Sequence, residues 1–428
     1  MAELLEGLAE LEGLAELLAE LAELVKERDT ALHRGSGSVV DTRPMPLGLL
    51  VLQPTPFCNL DCDYCYLPDR ANGGARMSMD TLTAVMARVF ESGQVGDRLS
   101  VVWHGGEPLA LPPRYYEDAF DVIDRLRPSG LVIEHHFQTN AVALTARWCE
   151  LILAHDVQMG LSIDGPALLH DRHRKTRKGR GTHRDVMASV ALLREYRIPF
   201  HVICVLTRES LEHADEIFEF FRDNGMDRVG FNVEEIEAAN RASRLLEDAG
   251  GEKAFAAFWN RIIERLRSEG VRIRIREIED VILALRDPEF GRLEGNSQNS
   301  PMSMLTVGYQ GDFTTFSPEL LGCVDAAYGK LSLANVHVTS LAGVREDQRF
   351  QRIAADVSRG VSMCRDSCKY FAFCLGGAPA NKLAENGTFA STETRFCKLT
   401  QQIFVECVLR AIEQDRLPAS LLGGARAR

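Results

Sequence analysis

Cysteine side chains offer the clearest chemistry in this sequence. Eleven are present, and clustered cysteines in a chain without a secretory signal peptide indicate metal binding or catalysis rather than disulfides. Seven fall into two groups, Cys58, Cys62 and Cys65 near the start and Cys364, Cys368, Cys374 and Cys397 near the end. Cys149, Cys204 and Cys407 lie in apolar contexts that predict buried, unreactive thiols. Both groups are therefore candidate metal sites.

The first group lies on one short segment, Phe57–Tyr66, directly after a predicted strand. Three thiolates on one loop can hold three irons of a four-iron cubane and leave the fourth iron open, whereas a structural zinc site takes four protein ligands. The pattern Cys-x3-Cys-x2-Cys with Tyr64 before its last cysteine resembles the radical S-adenosylmethionine superfamily. The resemblance implies that Cys58, Cys62 and Cys65 hold a [4Fe-4S] cluster whose open iron binds S-adenosylmethionine. Cleavage of that cofactor yields a deoxyadenosyl radical, which removes hydrogen from unactivated carbon.

Further motifs follow successive predicted strands in the order that this superfamily shows. They are His104-Gly105-Gly106-Glu107-Pro108, similar to the superfamily's GGE motif, then Gln138-Thr139-Asn140 and Leu161-Ser162-Ile163-Asp164-Gly165-Pro166. The resemblance implies that eight residues contact the cofactor: Tyr64, Gly105, Gly106, Glu107, Asn140, Ser162, Asp164 and Arg174. Tyr64 is expected beside the adenine, and Arg174 at the carboxylate, which a guanidinium fork fits. Asp164 is expected either to bind the ribose or to cap the next turn.

The second cysteine group, Cys364-x3-Cys368-x5-Cys374-x22-Cys397, resembles the SPASM extension of peptide-modifying radical enzymes. Fuller versions carry more cysteines and two auxiliary clusters. Here the resemblance implies four ligands and one auxiliary [4Fe-4S] cluster, which would accept the electron left over when a substrate radical forms a new bond. Zinc is the alternative at this site, since four thiolates also suit it. Cys323 is the candidate ligand for a second auxiliary cluster.

Three further sequence segments resemble one branch of these peptide-modifying enzymes. They are Phe231–Glu237, Thr315–Gly322 and Gly377–Gly387. Together with the first cysteine segment they are similar to the cyclophane-forming peptide maturases, including the glycine-rich-repeat group. That branch joins an aromatic ring carbon to the β-carbon of a nearby residue. Restoring the aromatic ring needs loss of one proton and one electron, so a carboxylate base is expected. The candidate bases are Glu319, Glu235 and Glu234, with a structural carboxylate or a contact to a basic peptide residue as the alternative for each.

The same motifs leave other reactions open. Formylglycine formation in sulfatases and thioether crosslinking of peptides share every cluster motif, and a non-catalytic iron–sulfur or zinc scaffold is a rival of a different class. The intact GGE and Ser-Ile-Asp-Gly motifs argue against a scaffold, because a scaffold needs no cofactor pocket. The resemblance implies a ribosomal precursor peptide as substrate and an electron donor such as flavodoxin or ferredoxin.

Alternating strands and helices must position these motifs. The candidate strands are Leu47–Gln53, Leu99–His104, Val132–Thr139, Gln158–Ile163, Phe200–Val205 and Arg228–Val233. The candidate helices between them are Met79–Ser92, Pro113–Leu126, Ala143–His155, Arg184–Tyr196 and Ser210–Asn224. Six strand–helix repeats predict a parallel sheet with right-handed crossovers, two units short of a closed eight-stranded barrel. The predicted fold class is α/β, a partial (β/α)6 TIM-like barrel with a C-terminal Cys-rich, SPASM-like extension.

Four regions are predicted along the chain. Residues 1–38 form an appended amphipathic helix and Gly-Ser linker, 39–239 the radical SAM partial barrel, 240–300 a helical bridging region, and 301–428 the SPASM-like auxiliary-cluster domain. Residues 1–34 carry nine acidic and three basic side chains, and their leucines recur at helical spacing. This helix is interpreted as a tag or a tethered peptide ligand, with a native helix as the alternative. Later, Val271–Arg276 predicts a short strand and Met304–Phe316 a hairpin.

Charge and hydropathy exclude several partners. The formal net charge of −12 argues against nucleic acid, because no basic footprint is evident. The one basic run, residues 172–184, is interpreted as a solvated loop. No apolar run approaches the roughly 20 residues of a membrane span, and the acidic N-terminus lacks the basic region of a signal peptide. The sequence therefore predicts a cytoplasmic protein with neither a membrane nor a nucleic-acid partner.

Overall fold

A computed structural model describes residues 45–68, 70–247, 250–270, 273–287, 293, 295–414 and 416–417. The predicted helix and linker of residues 1–38 lie outside these described residues. None of the helices within them combines the length and the apolar character needed to cross a membrane.

The described residues contain twelve strands. They are β1 (Leu47–Leu52), β2 (Val95–Trp103), β3 (Val132–Thr139), β4 (Gln158–Ser162), β5 (Phe200–Leu206), β6 (Arg228–Val233), β7 (Arg274–Ile275), β8 (Met304–Val307), β9 (Asp312–Thr315), β10 (Val324–Asp325), β11 (Gly329–Lys330) and β12 (Ala334–Asn335). In this part of the chain ten of them form one sheet in the order β12-β9-β8-β1-β2-β3-β4-β5-β6-β7. Strands β1 to β7 pair in parallel in sequence order, which is the partial barrel predicted.

The predicted hairpin extends this sheet. Its first strand, β8, pairs in parallel with β1 from Leu49↔Met304 to Leu52↔Val307. Its second strand, β9, runs antiparallel to β8 and pairs in turn with β12. The region predicted as a separate C-terminal extension thus begins within the sheet of the barrel.

Fifteen α-helices lie in the described residues. They are α1 (Met79–Glu91), α2 (Pro113–Leu126), α3 (Ala146–Ala154), α4 (Ala167–His173), α5 (His183–Glu195), α6 (Ala214–Asp223), α7 (Arg244–Glu247), α8 (Gly251–Glu269), α9 (Arg276–Arg286), α10 (Leu341–Arg345), α11 (Gln348–Ser367), α12 (Phe371–Cys374), α13 (Pro379–Asn386), α14 (Arg395–Cys397) and α15 (Phe404–Glu413). The five helices predicted in the barrel are present, α2 with the predicted bounds and the other four with shifted ends. The last of them is shorter at its start, because Ser210–Glu212 forms a separate 3₁₀ turn before α6.

Aromatic side chains fill the layer between the sheet and its outer helices. Tyr116 of α2 packs edge-on against Trp103 of β2 and Phe137 of β3, with ring centroids 5.2 and 4.8 Å apart. On the far side, Trp259 of α8 lies between β6 and the last helix, 4.4 Å from the ring of Phe404. Such ring pairs add about 0.5–1.5 kcal/mol each beyond burial. Helix α8 therefore fixes the C-terminal region against the barrel, which positions the second cysteine group.

Candidate active site

The loop after β1, described at residues 57–68 and 70, carries the first cysteine group and is called the cluster loop here. Its backbone is tied at several points. The Cys58 amide donates to the Arg70 carbonyl at 3.1 Å, and the Arg70 guanidinium donates to the Cys62 carbonyl at 2.8 Å. Arg177 Nε donates to the Cys58 carbonyl at 3.0 Å, and Leu60 forms a β-bridge with Thr176. The basic run 172–184 is thus not simply solvated, because part of it holds the cluster loop.

The thiols of this loop are partly buried and near one another. Burial raises the pKa of Cys58 to about 12, with the charge of Glu107 and the neighbouring thiols adding to the effect. Burial likewise raises the pKa of Cys62 to about 11, and Cys65 adds to it. The amide of Leu60 and the side chain of Asn140 donate to the Cys58 sulfur at 3.4 and 3.7 Å. Burial and mutual repulsion keep these closely spaced thiols protonated. A positively charged metal core would compensate both effects and bind the thiols as thiolates.

The paired glycines after β2 pack against the cluster loop. A Cβ on Gly106, whose φ is +62°, would lie 2.4 Å from the Thr55 carbonyl oxygen and 2.5 Å from that of Phe57, so only glycine fits. A Cβ on Gly105 would meet the side chain of Gln53 at 2.6 Å. The buried Nε2 of Gln53 has no hydrogen-bond partner among the residues described. This free amide donor beside a glycine cradle fits a bound polar ligand, and the sequence motifs did not point to Gln53.

The carboxylate of Glu107 holds the sheet together at this end. It accepts hydrogen bonds from the amide of Leu109 at 2.9 Å, the hydroxyl of Thr139 at 2.5 Å and the amide of Asn140 at 2.9 Å. It therefore joins the ends of β2 and β3. The Asn140 side chain in turn donates to Asn59 of the cluster loop at 2.8 Å. Glu107 and Asn140 are predicted to touch the cofactor; in the structure Glu107 joins two strand ends, and Asn140 contacts the cluster loop.

A buried ion pair lies at the end of β4. Arg174 Nε donates to Asp164 at 2.9 Å, and the hydroxyl of Tyr64 donates to the same carboxylate oxygen. The other carboxylate oxygen accepts the amide of Val205 at 3.0 Å. Although burial opposes it, the Arg174 charge holds the pKa of Asp164 below its usual range. Asp164 thus neither caps a helix nor stands free; it orients Arg174 and Tyr64, while Ser162 beside it accepts a 3.1 Å bond from the Gln138 amide.

The second cysteine group, Cys364, Cys368, Cys374 and Cys397, is called the late thiols here. Burial raises the pKa of Cys397 to about 12, and the charges of the other three thiols add to this effect. The same causes raise the pKa of Cys374 to about 11. Thiols 33 residues apart along the chain are thus brought within electrostatic reach of one another. The hydroxyl of Thr394 accepts the Cys397 amide at 3.0 Å, and Asn296 donates to the Cys374 carbonyl at 2.8 Å, which fixes both positions.

All four late thiols line one cavity of about 970 Å³. Four thiols around one space suit either a four-iron cluster or zinc. Three thiols on the cluster loop suit a cluster with one open iron. The two donor sets therefore fit the groups that the sequence predicts. The three scattered cysteines, Cys149, Cys204 and Cys407, are buried as predicted.

Two of the predicted bases share this cavity with the late thiols. Glu235 and Glu319 both line it. Burial raises the pKa of each, and for Glu235 the charges of Glu319 and Glu385 add to this effect while a hydrogen bond from Asn381 opposes it. Glu319 also accepts a hydrogen bond from the hydroxyl of Ser317. Two carboxyls of raised pKa on one wall are suited to proton transfer near neutral pH.

The third predicted base lies elsewhere. Glu234 is not part of the cavity lining, and Ser243 donates to its backbone carbonyl at 2.8 Å and to its carboxylate at 3.3 Å. Glu237, which the sequence analysis did not select as a base, lies within electrostatic reach of Glu235 and Glu319. Burial raises its pKa well above the usual value, and the charges of Glu235, Glu319 and Cys65 add to the effect. Glu237 lies two residues after Glu235 in the sequence. Because such residues share one side of extended backbone, this spacing could have identified Glu237 as a neighbour of the candidate base.

Cys323 lies beside the carboxylates. Its thiol donates to the carbonyl of Glu319 at 3.1 Å, and burial raises its pKa. Within the described residues it is not part of the cavity lined by the late thiols. A role for Cys323 as a ligand stays a prediction.

Comparison with known sequences shows which proteins this chain resembles. The sequence profile of the Radical SAM superfamily matches residues 52–221. An uncharacterized protein of Synechocystis sp. is 40% identical over 374 residues, which cover 86% of this chain and 93% of that protein. The serine-type anaerobic sulfatase-maturating enzyme of Bacteroides thetaiotaomicron is 23% identical over 396 residues, which cover 88% of this chain and 94% of that enzyme. Similarity thus extends well beyond the barrel.

Solved structures share the fold. Native anSMEcpe with bound AdoMet and Cp18Cys peptide matches with a TM-score of 0.69 and 21% identity, over 86% of this chain and 98% of that one. Streptococcus suis SuiB bound to precursor peptide SuiA matches with a TM-score of 0.55 and 16% identity, over 83% of this chain and 76% of that one. The α/β fold with its parallel sheet is therefore the one these proteins have.

Proposed function

Because this chain belongs to the radical SAM superfamily, we propose that it is a peptide maturase that joins an aromatic ring carbon to a β-carbon within a ribosomally made peptide. It is an enzyme of a superfamily that uses a [4Fe-4S] cluster and S-adenosylmethionine. In this proposal Cys58, Cys62 and Cys65 hold that cluster. The late thiols hold one auxiliary [4Fe-4S] cluster.

The observation that carries the proposal is the shared cavity. Glu235 and Glu319 line the same space of about 970 Å³ as the four late thiols. Formation of a ring-to-β-carbon bond leaves one proton and one electron to remove before the ring is aromatic again. A carboxylate can take the proton. A metal centre at the late thiols can accept the electron. One cavity would therefore contain both the proton acceptor and the electron acceptor.

Cys58, Cys62 and Cys65 would hold the cluster that, with S-adenosylmethionine bound, would supply a radical able to take a hydrogen atom from carbon, and the late thiols would hold a cluster that would supply a one-electron acceptor. The remaining tasks belong to this chain's side chains. In this proposal Arg174, which is hydrogen-bonded to Asp164, holds the carboxylate of the cofactor. Glu319 is the proposed base at the substrate ring, and Glu235 is the second candidate.

The carboxylates need a raised pKa for this task. A base whose pKa lies close to the working pH is partly ionised yet holds the proton firmly once it is transferred. Burial supplies that shift at both glutamates. At Glu235 the hydrogen bond from Asn381 opposes the rise in pKa that burial causes.

Formylglycine formation is the second candidate function. It is favoured by the similarity to the serine-type anaerobic sulfatase-maturating enzyme, which extends over 88% of this chain. Oxidation of a serine or cysteine side chain to an aldehyde also releases a proton and an electron after hydrogen removal. The shared cavity is therefore compatible with both reactions.

Anaerobic assays of the reconstituted enzyme separate the two. One substrate is a synthetic peptide that contains aromatic residues with deuterium on their rings; the other is a sulfatase peptide carrying serine or cysteine at the modified position. Crosslinking to a ring carbon releases ring deuterium and creates no aldehyde. Formylglycine reacts with a hydrazide probe and leaves the rings labelled. Hydrazide-reactive product without loss of ring deuterium would reject the crosslinking proposal.

A further inference from the structure

Lys382 is a lysine inside the protein with no carboxylate beside it. It belongs to α13, and only 5% of its surface is exposed. Its ammonium group donates to the Cys364 sulfur at 3.3 Å and to the Gly360 carbonyl at 3.0 Å. No ion pair involves Lys382 in the part of the chain that the structure describes. The polar partners of its ammonium group are therefore a cysteine sulfur and a backbone carbonyl.

The surrounding backbone is shaped to admit this side chain. A Cβ on Gly360 would lie 2.3 Å from the Phe389 carbonyl oxygen and 3.2 Å from the Lys382 nitrogen. Only glycine leaves room there for the segment at Phe389 and the lysine together. Helix α11 carries both Gly360 and Cys364, one turn apart, so one face of that helix presents both acceptors to the lysine.

A buried ammonium is unfavourable unless a negative charge or good hydrogen bonds compensate it. Four thiolates around an iron–sulfur core give a net negative group, and reduction makes that group more negative by one charge. A fixed positive charge donating to one of its sulfurs stabilises the reduced form more than the oxidised form. Reduction potentials of such clusters respond to nearby charge, to hydrogen bonds on sulfur and to solvent exposure.

We propose that Lys382 is a positioning residue that raises the reduction potential of the iron–sulfur cluster held by the late thiols, and so makes that cluster a better electron acceptor. The inference rests on the proposed function for the presence of a cluster at these thiols. It adds a reason for the direction of electron flow. One electron moves from the substrate radical, which is oxidised, to the cluster, which is reduced, and the proton goes to a cavity carboxylate.

The test measures the potential without any substrate. The full chain with Cys58, Cys62 and Cys65 changed to alanine keeps only the late site, and its midpoint potential is followed by electron paramagnetic resonance during a redox titration. Lys382→Met removes the charge at nearly constant length. We expect reduction to become at least tenfold less favourable, which is ~59 mV for one electron.

Two further variants separate charge from structure. Lys369→Met removes a solvent-exposed charge that also lies on this cavity and pairs with Glu406 at 3.2 Å; solvent screening should keep its shift under a third of that of Lys382→Met. Lys382→Arg keeps the charge and should hold the wild-type potential. If Lys382→Met fails to retain iron, Lys382→Gln replaces it, since an amide still donates to sulfur without the charge.

The outcomes are distinct. A potential in Lys382→Met or Lys382→Gln equal to that of the Lys369 control overturns the proposal, as does an arginine variant as low as the methionine variant. Loss of late-site iron in every Lys382 variant, arginine included, assigns the residue a structural role and also overturns it. Zinc or no iron in the unmodified late site rejects it together with the auxiliary cluster. A confirmed shift in an enzyme that forms no crosslink would reject the proposed function alone.

Discussion

Asn381 donates a hydrogen bond of 2.5 Å to a carboxylate oxygen of Glu235, across 146 positions of the chain. The next residue of the same helix, Lys382, donates to the sulfur of Cys364. Helix α13 therefore contacts both a proposed base and a proposed cluster ligand through adjacent side chains. In the proposed reaction this helix would join the carboxylate that accepts the proton to the site that accepts the electron.

The Asn381 hydrogen bond makes a prediction about pH. It stabilises ionised Glu235, so it lowers a pKa that burial otherwise raises. Asn381→Ala should raise that pKa further. If Glu235 takes the proton, its working form is the ionised one, so activity falls as pH drops through the pKa. The acidic limb of the crosslinking rate should then move to higher pH, with the plateau rate kept. Asn386→Ala, on the exposed end of the same helix, is the control and should leave the limb in place. An unmoved limb in Asn381→Ala would argue that Glu235 is not the base.

Glu319→Gln tests the favoured base. Glutamine keeps the size of the side chain and its ability to hydrogen-bond but cannot accept the proton. Crosslinking should fall by about 10²–10⁴-fold, the usual range for loss of a general base. Hydrogen removal from the β-carbon should continue, seen as deuterium transferred from a labelled peptide to deoxyadenosine. The exposed Glu346→Gln serves as the control. Crosslinking within about threefold of wild type would rule out Glu319, and lost deuterium transfer would assign it to substrate placement.

The cluster loop predicts the result of a triple substitution. With Cys58, Cys62 and Cys65 all changed to alanine, the loop loses the three thiols that fit a cluster with one open iron. Cofactor cleavage should disappear, measured as deoxyadenosine formed under reducing conditions. Changing the scattered, buried Cys149 to alanine should leave cleavage intact. Deoxyadenosine at the wild-type rate in the triple variant would contradict the assignment of this loop.

Iron content distinguishes a four-iron cluster from zinc at the late thiols. Two four-iron clusters give about eight irons per chain after anaerobic reconstitution. Elemental analysis that finds about four irons with one zinc would show that the late thiols hold zinc. A value near twelve would show a third cluster, and Cys323 would then be the first ligand to test, because its thiol lies beside Glu319.

The buried pair of Arg174 and Asp164 predicts an effect on stability. Their side chains are 9% and 2% exposed. Arg174→Ala leaves a buried carboxylate without its partner, which typically costs about 3–5 kcal/mol of unfolding free energy. Denaturant unfolding of the protein without cofactor measures this. The exposed pair Arg114–Asp118 gives the control, since Asp118→Ala should cost about 0.3–0.5 kcal/mol. A loss below about 1 kcal/mol for Arg174→Ala would show that solvent reaches Asp164.

Local pattern determined much of this protein. The spacing of Cys58, Cys62 and Cys65, and the period of the strands before each motif, placed the cluster loop and the glycine pair at the ends of successive parallel strands. Those features depend on residues close together in the sequence and on the repeat of apolar residues in helices and strands. Both can be read directly from a sequence. The predicted bounds of β3, β6 and α2 agree with the structure for the same reason.

Contacts between distant segments were decided only by the tertiary structure. Pairing of β8 with β1 depends on the order of strands in the sheet, which no local pattern states. Glu107 closes the ends of two strands, and helix α13 brings Lys382 to Cys364 and Asn381 to Glu235. Each of these roles follows from burial, where an unsatisfied polar group is unfavourable and must find a partner. The sequence supplied the chemical groups, and packing selected which of them work together.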